Sequence, residues 1–415
     1  MLGNYMRMAC AVLLRRKFLT LVNLFGIVLT LSVLVVAAAV LEASLHPSGA
    51  AHRQDQILVV DSLCLEGKGF GGCTNPGVAF FERHIVPLRT PDKVSYATVR
   101  LPGVSYVDAR KITVQLRRTD AAYWEILDYR VLEGRTIAAD DLTQGRRVAV
   151  INAATAEAFF AGAPALGKSI TVDSQTYEVI GVVANEPETS ELAYADVWVP
   201  YTTIESPDYK EQWSSDGMIM LFAGKSGSRQ AVQAELQQSL KNFVYPEDPG
   251  KYDRAIASAE TGLSRTASRV LNGAPGAPGN ISQFVAVAIL LVLLFMLLPA
   301  INMANVNIGR ILERAPEIGL RKATGASVRV LVGQFIFENI VLTALGGLLA
   351  FAIAPIVLHF LNDSVFTYGT LHVNLRVFLL GLALIVVFGF LSGVYPAWKM
   401  ARLEPATALR GLKHV

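Results

Sequence analysis

One short stretch of the chain has the residue types and spacing of a nucleotide-binding loop. Residues 162–169 read GAPALGKS, which fits the G-x-x-x-x-G-K-[ST] spacing of a P-loop. In such a loop the backbone N–H groups hold the phosphates, the lysine reaches the β- and γ-phosphates, and the last hydroxyl binds Mg²⁺. This chemistry requires a strand before the loop and a helix after it, because the helix N-terminus faces the phosphates.

The elements predicted around this stretch come in the opposite order. Residues 152–161 are rich in Ala and predict a helix, whereas residues 169–183 alternate β-branched and polar residues and predict two strands joined by a turn at Asp173 and Ser174. Helix, turn and strand cannot present a helix N-terminus to a phosphate. We therefore interpret GAPALGKS as a coincidental match.

No other catalytic or metal-binding signature is present in the sequence. The six histidines occur singly, and the chain contains no H-E-x-x-H, no G-x-S-x-G and no G-x-G-x-x-G ahead of a predicted helix. Nothing in the sequence requires an enzyme or a bound metal or cofactor, although a catalytic site could still be assembled from scattered residues.

Four long apolar runs dominate the composition. The chain is 52% hydrophobic and 17% charged, with a mean hydropathy of +0.41, and a helix of about 20 apolar residues crosses a hydrocarbon core roughly 30 Å thick. We predict four transmembrane helices at residues 18–41, 283–308, 330–361 and 377–397. A cleaved signal peptide is the alternative for the first run, which is longer than the usual apolar region of a signal.

The basic residues predict the orientation of these helices. They are concentrated in residues 1–17, 309–329 and 398–415, whereas the short loop 362–376 has a single basic residue, Arg376. By the positive-inside rule both termini and the 309–329 loop are cytoplasmic. Residues 42–282 then lie on the outer face, where cells do not normally supply ATP. Residues 1–17 are an amphipathic segment along the inner leaflet or an extension of the first helix.

The outer segment of residues 42–282 is predicted to be an α+β domain. It has 23 Lys and Arg against 29 Asp and Glu, a net charge of −6 that argues against nucleic-acid binding. The strand-like runs are residues 56–60, 147–151, 177–183, 197–200 and 218–222, and the helical runs are residues 153–160 and 228–240. Residues 271–282 hold Gly and Pro without apolar periodicity and predict a linker into the second transmembrane helix.

Two cysteines of the outer segment lie nine positions apart. Cys64 and Cys73 flank a Gly-rich stretch outside the reducing cytoplasm, so a disulfide between them is plausible, and two unpaired thiols are the alternative. The third cysteine, Cys10, is predicted to be cytoplasmic and reduced.

The 309–329 loop is the most informative stretch. It reads GRILERAPEIGLRKATGASVR and places opposite charges at helical spacing, typical of a solvated helix that Gly325 can end. The run ERAPEIGLRKATGA at residues 313–326 resembles the cytoplasmic-loop signature of the MacB-like and FtsX-like permeases of ABC transporters. So does VYPAWKMARLEPATALR at residues 394–410. The stretches at residues 123–135, 148–152 and 166–183 are similar to the outer domain of that family.

The resemblance covers nearly the whole chain and implies a four-helix permease subunit of the bacterial inner membrane. Such subunits are non-catalytic, form dimers with a second copy or a paralogue, and bind ATPase subunits that carry the ATP and Mg²⁺. ATP hydrolysis then moves the outer domain for export or mechanotransmission, in some systems with a periplasmic adaptor and an outer-membrane channel. Because only 17 residues precede the first helix, the ATPase is expected to be a separate chain. Alternatives are a lipoprotein-releasing permease, an FtsX-like regulator of cell-wall hydrolases and, from another class, a membrane-anchored sensor.

The resemblance and the charge pattern together suggest which residues act. A helix from about residue 311 to 322 is expected to dock on the ATPase through a set of charged and small residues: Arg314, Glu317, Gly319, Arg321, Lys322 and Gly325. Glu338 lies inside the third run, where a carboxylate facing lipid costs about 3 kcal/mol, so it should face protein, with Asn302 and Asn305 as candidate partners. It is either a polar clamp between helices, which we favour, or a proton or ion relay. Gly346 and Gly347 predict close helix packing.

Overall fold

The computed structural model describes most of the chain in two compact units. The described ranges are residues 17–45, 49–67, 70–107, 110–223, 228–241, 243, 252–271, 278–313, 320, 327–364, 368 and 371–401. A helical unit comprises Met1–Leu41, Ala286–Asn362 and Leu371–Val415, and an α+β unit comprises Glu42–Val285 and Asp363–Thr370. The α+β unit is therefore inserted between the first two long helices, and it also includes part of the loop between the last two.

Ten α-helices are found in these described ranges, and the four longest belong mainly to the helical unit. In chain order the helices are α1 (Lys17–Leu45), α2 (Val78–Phe80, continued by a π-helical turn at Phe81–Ile85), α3 (Ala121–Ile126), α4 (Ala139–Thr143), α5 (Ala153–Phe160), α6 (Ser228–Leu240), α7 (Gly262–Val270), α8 (Ile281–Glu313), α9 (Val328–Ser364) and α10 (Leu375–Ala401). Short 3-10 turns lie at Gly49–Ala51, Gln54–Gln56, Tyr201–Thr203 and Pro207–Lys210.

The strands form two sheets in the described part of the α+β unit. They are β1 (Ile57–Val60), β2 (Leu63–Gly67), β3 (Phe70–Pro76), β4 (Lys93–Thr98), β5 (Leu101–Val107), β6 (Arg110–Thr119), β7 (Val131–Gly134), β8 (Val148–Asn152), β9 (Ser169–Val172), β10 (Gln175–Val183), β11 (Val197–Pro200), β12 (Ser214–Ser215), β13 (Gly217–Phe222) and β14 (Arg254–Ala257). The larger sheet has the order β1-β13-β4-β6-β11-β8-β10-β7, with β5 on β6 and β9 on β10, and the smaller has the order β12-β3-β2-β14.

The larger sheet is mixed. Its pairs β6·β11 and β8·β10 are parallel, and β11 runs antiparallel to β8. The central strands have the order β6-β11-β8-β10, which differs from their order in the chain. The β11 residues Val197–Pro200 are all buried, as are those of β8. Strands buried on both faces read as continuous apolar runs, which is the pattern that predicted them. The α+β prediction is confirmed for this unit.

Local signals fix the ends of α5 and α8. The Asn152 side chain accepts a hydrogen bond from the Thr155 N–H at 2.7 Å and caps α5, and Ala161 ends the helix in the left-handed region at φ 48°. The Asn280 side chain accepts from the Gln283 N–H at 3.0 Å. Because of this cap, α8 starts at Ile281, two residues inside the predicted 271–282 linker.

The GAPALGKS stretch has the element order predicted from the sequence. It follows α5, turns at Gly162 and Gly167 with φ of 83° and 74°, and enters β9 at Ser169. The Lys168 ammonium lies 4.8 Å from the centre of the Phe160 ring, so it packs on its own domain. No helix follows the turn in this described stretch, and the geometry of a phosphate-binding loop is missing here.

Cys64 and Cys73 are joined by a disulfide in the smaller sheet. They lie directly opposite each other in the antiparallel pair β2·β3. The neighbouring apolar core contains Phe80, Trp213 and Phe243. The bridge therefore closes a hairpin whose strands are already paired.

Two helical stretches of the described residues are long and apolar enough to cross a membrane. They are Thr20–Ala43, with 24 residues, and Ile336–Asp363, with 28 residues. Shorter apolar stretches lie at Ile281–Leu297 in α8 and Leu375–Val387 in α10. The count of four membrane spans stays a prediction.

The helices of this unit pack closely at the predicted glycines. A Cβ atom on Gly346 would lie 2.7 Å from Ile27 Cγ2 of α1, and one on Gly347 would lie 2.5 Å from Leu382 Cδ1 of α10. α9 is therefore packed between α1 and α10 at adjacent positions, and the close-packing prediction is confirmed.

Candidate functional site

The residues predicted to dock on an ATPase lie outside the described part of the structure. This applies to Arg314, Glu317, Gly319, Arg321, Lys322 and Gly325. The structure shows that α8 extends to Glu313, the residue before Arg314, and that Leu320 is helical and 60% exposed. The ATPase-docking role of these residues stays a prediction.

Glu338 is buried on α9, with 2% of its side chain exposed. Its Oε1 accepts a hydrogen bond from Gln334 Nε2 at 3.1 Å, one helical turn away. Asn302 and Asn305 lie within α8, but their side chains are outside the description. The structure therefore gives Glu338 a polar partner that the sequence reasoning did not name.

Further polar side chains are buried in the helical unit. Asn339 and Thr343 of α9 are 4% and 1% exposed, and Asn23 of α1 is 2% exposed. Polar groups in a membrane segment are costly when they face lipid. These buried side chains face protein within the helical unit.

A second cluster of buried polar groups lies in the α+β unit and was missed by the sequence analysis. It is built on residues 184–196, which connect β10 to β11 and which we call the junction loop. The loop reads ANEPETSELAYAD and has neither strand nor helix periodicity. It contains four acidic residues, the last of which is Asp196 at its end. The density of acids was the only signal in the sequence.

The backbone of the junction loop is held by a buried arginine and two buried tyrosines. Arg117 of β6, 1% exposed, donates from Nη2 to the Glu191 carbonyl at 2.8 Å and from Nη1 to the Leu192 carbonyl. Tyr123 donates to the same Leu192 carbonyl at 2.8 Å, and Tyr129 donates to the Ala193 carbonyl. A loop whose carbonyls are satisfied in this way is a fixed part of the core.

The end of the loop is anchored on the central strands. Asp196 accepts hydrogen bonds from the Gln115 N–H of β6 at 2.8 Å and from the Asn152 side chain at the end of β8 at 3.0 Å. The loop is thus bonded to the strands on both sides of β11.

Glu186 of the junction loop binds the segment that follows α1. Both carboxylate oxygens accept from the Ala50 N–H at 3.1 Å, and the side chain is 4% exposed. Gly49 has a φ of 82°, and a Cβ there would lie 2.4 Å from Glu186 Oε2. The contact therefore requires glycine at position 49. Burial raises the Glu186 pKa to about 7, although the Ala50 hydrogen bond opposes this.

Glu191 of the junction loop binds α7, the helix that precedes α8. Its carboxylate accepts from both Nη atoms of Arg269 at 3.1 and 2.9 Å and from Arg265 Nη2 at 3.3 Å. Asp61, just after β1, accepts from the same arginines at 2.6 to 3.0 Å. Burial raises the Glu191 pKa, but Arg265 and Arg269 outweigh it and hold the pKa at about 2. The negative charges of two acids thus neutralise the positive charges of two arginines. One of these arginines, Arg265, is buried, with 5% of its side chain exposed.

Tyr194 of the junction loop contacts the segment between α9 and α10. The Tyr194 ring centre lies 6.5 Å from that of Tyr368. The Arg100 guanidinium lies over the face of the Tyr194 ring, 5.1 Å from its centre. Tyr368 has a φ of 54°. All the residues in these contacts belong to the α+β unit.

Two family models match the chain and together span most of it. The MacB-like periplasmic core domain matches residues 20–239, which is more than half of the chain, and the FtsX-like permease C-terminal region matches residues 288–405. The first match contains the junction loop, and the second contains the predicted ATPase-docking residues and Glu338.

Similar curated proteins are bacterial exporters and permeases. The macrolide export ATP-binding/permease protein MacB of Pasteurella multocida is 22% identical over 97% of this chain and 59% of its own length. The uncharacterized ABC transporter permease YknZ of Bacillus subtilis is 23% identical over 97% of this chain and 98% of its own length. The chain thus spans less than two thirds of the first relative and nearly all of the second.

Among solved structures, the periplasmic region of MacB from Actinobacillus actinomycetemcomitans is 16% identical, with a TM-score of 0.38, and covers 56% of this chain and 96% of its own. The extracellular domain of the YknZ transporter from Gram-positive bacteria is 16% identical, with a TM-score of 0.35, and covers 47% of this chain.

Proposed function

The chain belongs to the family of ABC transporter permeases that have a MacB-like periplasmic core domain and an FtsX-like C-terminal region, and from this premise we propose that it couples ATP hydrolysis by a separate ATPase chain to movement of its outer domain. The observation that carries the proposal is the order of the two matches in one chain, with the α+β unit inserted between α1 and α8. A domain tied at both ends to long helices can be moved by them.

We place the ATPase contact in residues 309–329. The charged residues Arg314, Glu317, Arg321 and Lys322 would supply ion pairs, and Gly319 and Gly325 would allow close approach. ATP and Mg²⁺ would bind only to the ATPase chain.

Export is favoured over the alternatives by the names of the relatives. Those of Pasteurella multocida and Wolinella succinogenes are named as macrolide exporters, and one of Pseudomonas putida as a pyoverdine exporter. Lipoprotein release, cell-wall regulation and a sensor without an ATPase are outcomes that the experiment below can reveal. A second permease copy or a paralogue completes the proposed assembly, with an adaptor and an outer-membrane channel as further candidate partners.

The disulfide supports the proposed orientation, with both termini in the cytoplasm of a bacterial cell and the chain crossing the inner membrane several times. Disulfides persist in oxidising compartments and are rare in the cytoplasm. The Cys64–Cys73 bridge lies in the α+β unit, which the orientation places outside. Within the membrane we propose that Glu338 is a polar clamp between helices, and the support for this proposal is the burial of its side chain, which is 2% exposed.

Affinity purification in a gentle detergent tests the proposal. The tagged chain is isolated from its native membranes, the chains that accompany it are identified, and ATP hydrolysis is measured with and without vanadate. We expect a stoichiometric ATPase chain and vanadate-sensitive hydrolysis. Purification without an ATPase from several detergents would support the sensor instead.

A charge-reversal pair locates the contact. Glu317→Lys combined with Arg321→Glu should reduce ATPase association at least tenfold while membrane insertion is unchanged. Arg376→Glu, in the loop predicted on the other side of the membrane, is the matched control and should retain full association. If both variants bind the ATPase equally well, the contact lies outside residues 309–329.

A further inference from the structure

The junction loop receives all three chain segments that connect the α+β unit with the helical unit. The first is Gly49–Ala51, which follows α1 and bonds to Glu186. The second is α7, which precedes α8 and bonds to Glu191 through Arg269. The third is the α9–α10 segment, whose Tyr368 lies against Tyr194. Three separate parts of the chain therefore meet within nine residues.

Each of these contacts has a different physical character. Glu186 with Ala50 is a buried hydrogen bond to backbone, Glu191 with Arg269 is an ion pair, and Tyr194 with Tyr368 is an edge-on aromatic contact. Contacts of such different kinds are not explained by one local packing requirement. What they share is the loop.

The loop is held on its other side by the interior of the domain. Arg117 and Tyr123 bond to its carbonyls, and Asp196 bonds to β6 and to the end of β8. A displacement of the loop must then either break buried hydrogen bonds or move these strands, because packed interiors do not deform continuously. Because these hydrogen bonds are buried, breaking them would leave polar groups unpaired, which favours movement of the strands together with the loop.

We propose that the junction loop is the coupling element of the outer domain, with Glu186, Glu191 and Tyr194 as its positioning residues. It collects the displacement of the three connecting segments and passes it to the central strands β6, β11 and β8. The inference rests on the proposed function, since it names the part of the domain on which the ATP-driven movement of the helices acts.

Hydrogen exchange of the full chain in lipid nanodiscs tests whether the loop acts as one unit. Tyr368→Ala removes the aromatic contact, and Arg269→Ala, at a residue 55% exposed, weakens the ion pair. If the loop is one unit, each variant should raise exchange at least threefold at the Ala50 amide, which is bonded to Glu186, as well as at its own contact. The matched control is Lys93→Ala, which breaks the Lys93–Glu125 ion pair of the same domain and should leave the Ala50 amide unchanged. Changes confined to each variant's own contact would overturn the proposal.

A second measurement uses the complex with its ATPase, in the absence of nucleotide and after trapping with Mg-ATP and vanadate. We expect exchange of the amides of residues 190–196 to differ at least threefold between the two states, and Tyr368→Ala to reduce that difference by half or more. Vanadate-sensitive hydrolysis with unchanged exchange in the loop would overturn the coupling role and leave the proposed function standing. If the Tyr368 and Arg269 variants raise exchange at the Ala50 amide but no ATPase binds the chain, the loop joins the three segments and the proposed function is rejected.

Discussion

Two carboxyl groups of the junction loop, five residues apart, have pKa values shifted in opposite directions. Glu186 is buried with an uncharged donor, so its pKa is raised to about 7, whereas Glu191 faces two arginines and its pKa is lowered to about 2. Desolvation disfavours the charged form of a carboxyl group, and nearby positive charge favours it. At neutral pH, Glu191 is a permanent anion and Glu186 lies near its midpoint.

The raised pKa of Glu186 makes stability depend on pH. The folded state binds the proton more tightly than the unfolded state, whose pKa is near 4.5. The free energy of unfolding should therefore fall as pH rises from about 4.5 to about 7, by up to about 3 kcal/mol. Glu186→Gln should remove this contribution. The measurement is urea unfolding of the full chain in detergent, followed by the fluorescence of tryptophans that include Trp124 and Trp198 of the α+β core.

A second buried acid makes the comparison of variants necessary. Burial also raises the Asp120 pKa, to about 6, which adds a contribution of the same sign. The difference between wild type and Glu186→Gln isolates Glu186, since Asp120 is present in both. Parallel pH profiles of the two proteins would show that Glu186 titrates normally in the folded state.

At the scale of elements, much of the α+β unit could be predicted. The run at residues 197–200 became β11, and the runs at residues 153–160 and 228–240 became α5 and α6, because apolar periodicity and a capping residue act locally. The junction loop could not be predicted, since its partners Arg117, Ala50 and Tyr368 are far away in the chain and no local sequence pattern indicates these contacts. The family resemblance was visible in the loop at residues 309–329, of which the structure describes residues 309–313, 320 and 327–329.

Gly346 provides a test of helix packing. Gly346→Leu would force a side chain against Ile27 of α1, where even a Cβ atom comes within 2.7 Å. Overpacking typically costs about 1–3 kcal/mol, so we expect a lower midpoint of thermal unfolding and more aggregation in detergent. Size-exclusion chromatography after stepwise heating measures both.

The matched control lies on the same helix. Gly333→Leu introduces the same side chain at a position where a Cβ atom meets nothing within 4 Å. It should behave like wild type. Equal destabilisation by both variants would point to an effect of leucine on the helix itself and contradict the packing argument.

At the scale of the whole molecule, the orientation can be tested with two cysteine substitutions of similar exposure. Tyr106 in the α+β unit is 67% exposed, and Leu320 in the 309–329 region is 60% exposed. With Cys10→Ser as background, Tyr106→Cys should react with a membrane-impermeant maleimide in cells whose outer barrier is permeabilised. Leu320→Cys should react only after lysis of the inner membrane. Labelling of Leu320→Cys in unlysed cells would contradict the predicted orientation.

The pairing of β1 with β13 has a consequence for biogenesis. Ile57 pairs with Phe222, and the buried apolar strand β1 emerges soon after α1. At a synthesis rate of about 5–20 residues per second, the partner strand follows roughly 10–30 seconds later. During that delay β1 lacks its partner strand, and α1 already anchors the nascent chain. In the orientation proposed above, the larger sheet can therefore be completed only late in translocation, once β13 has emerged.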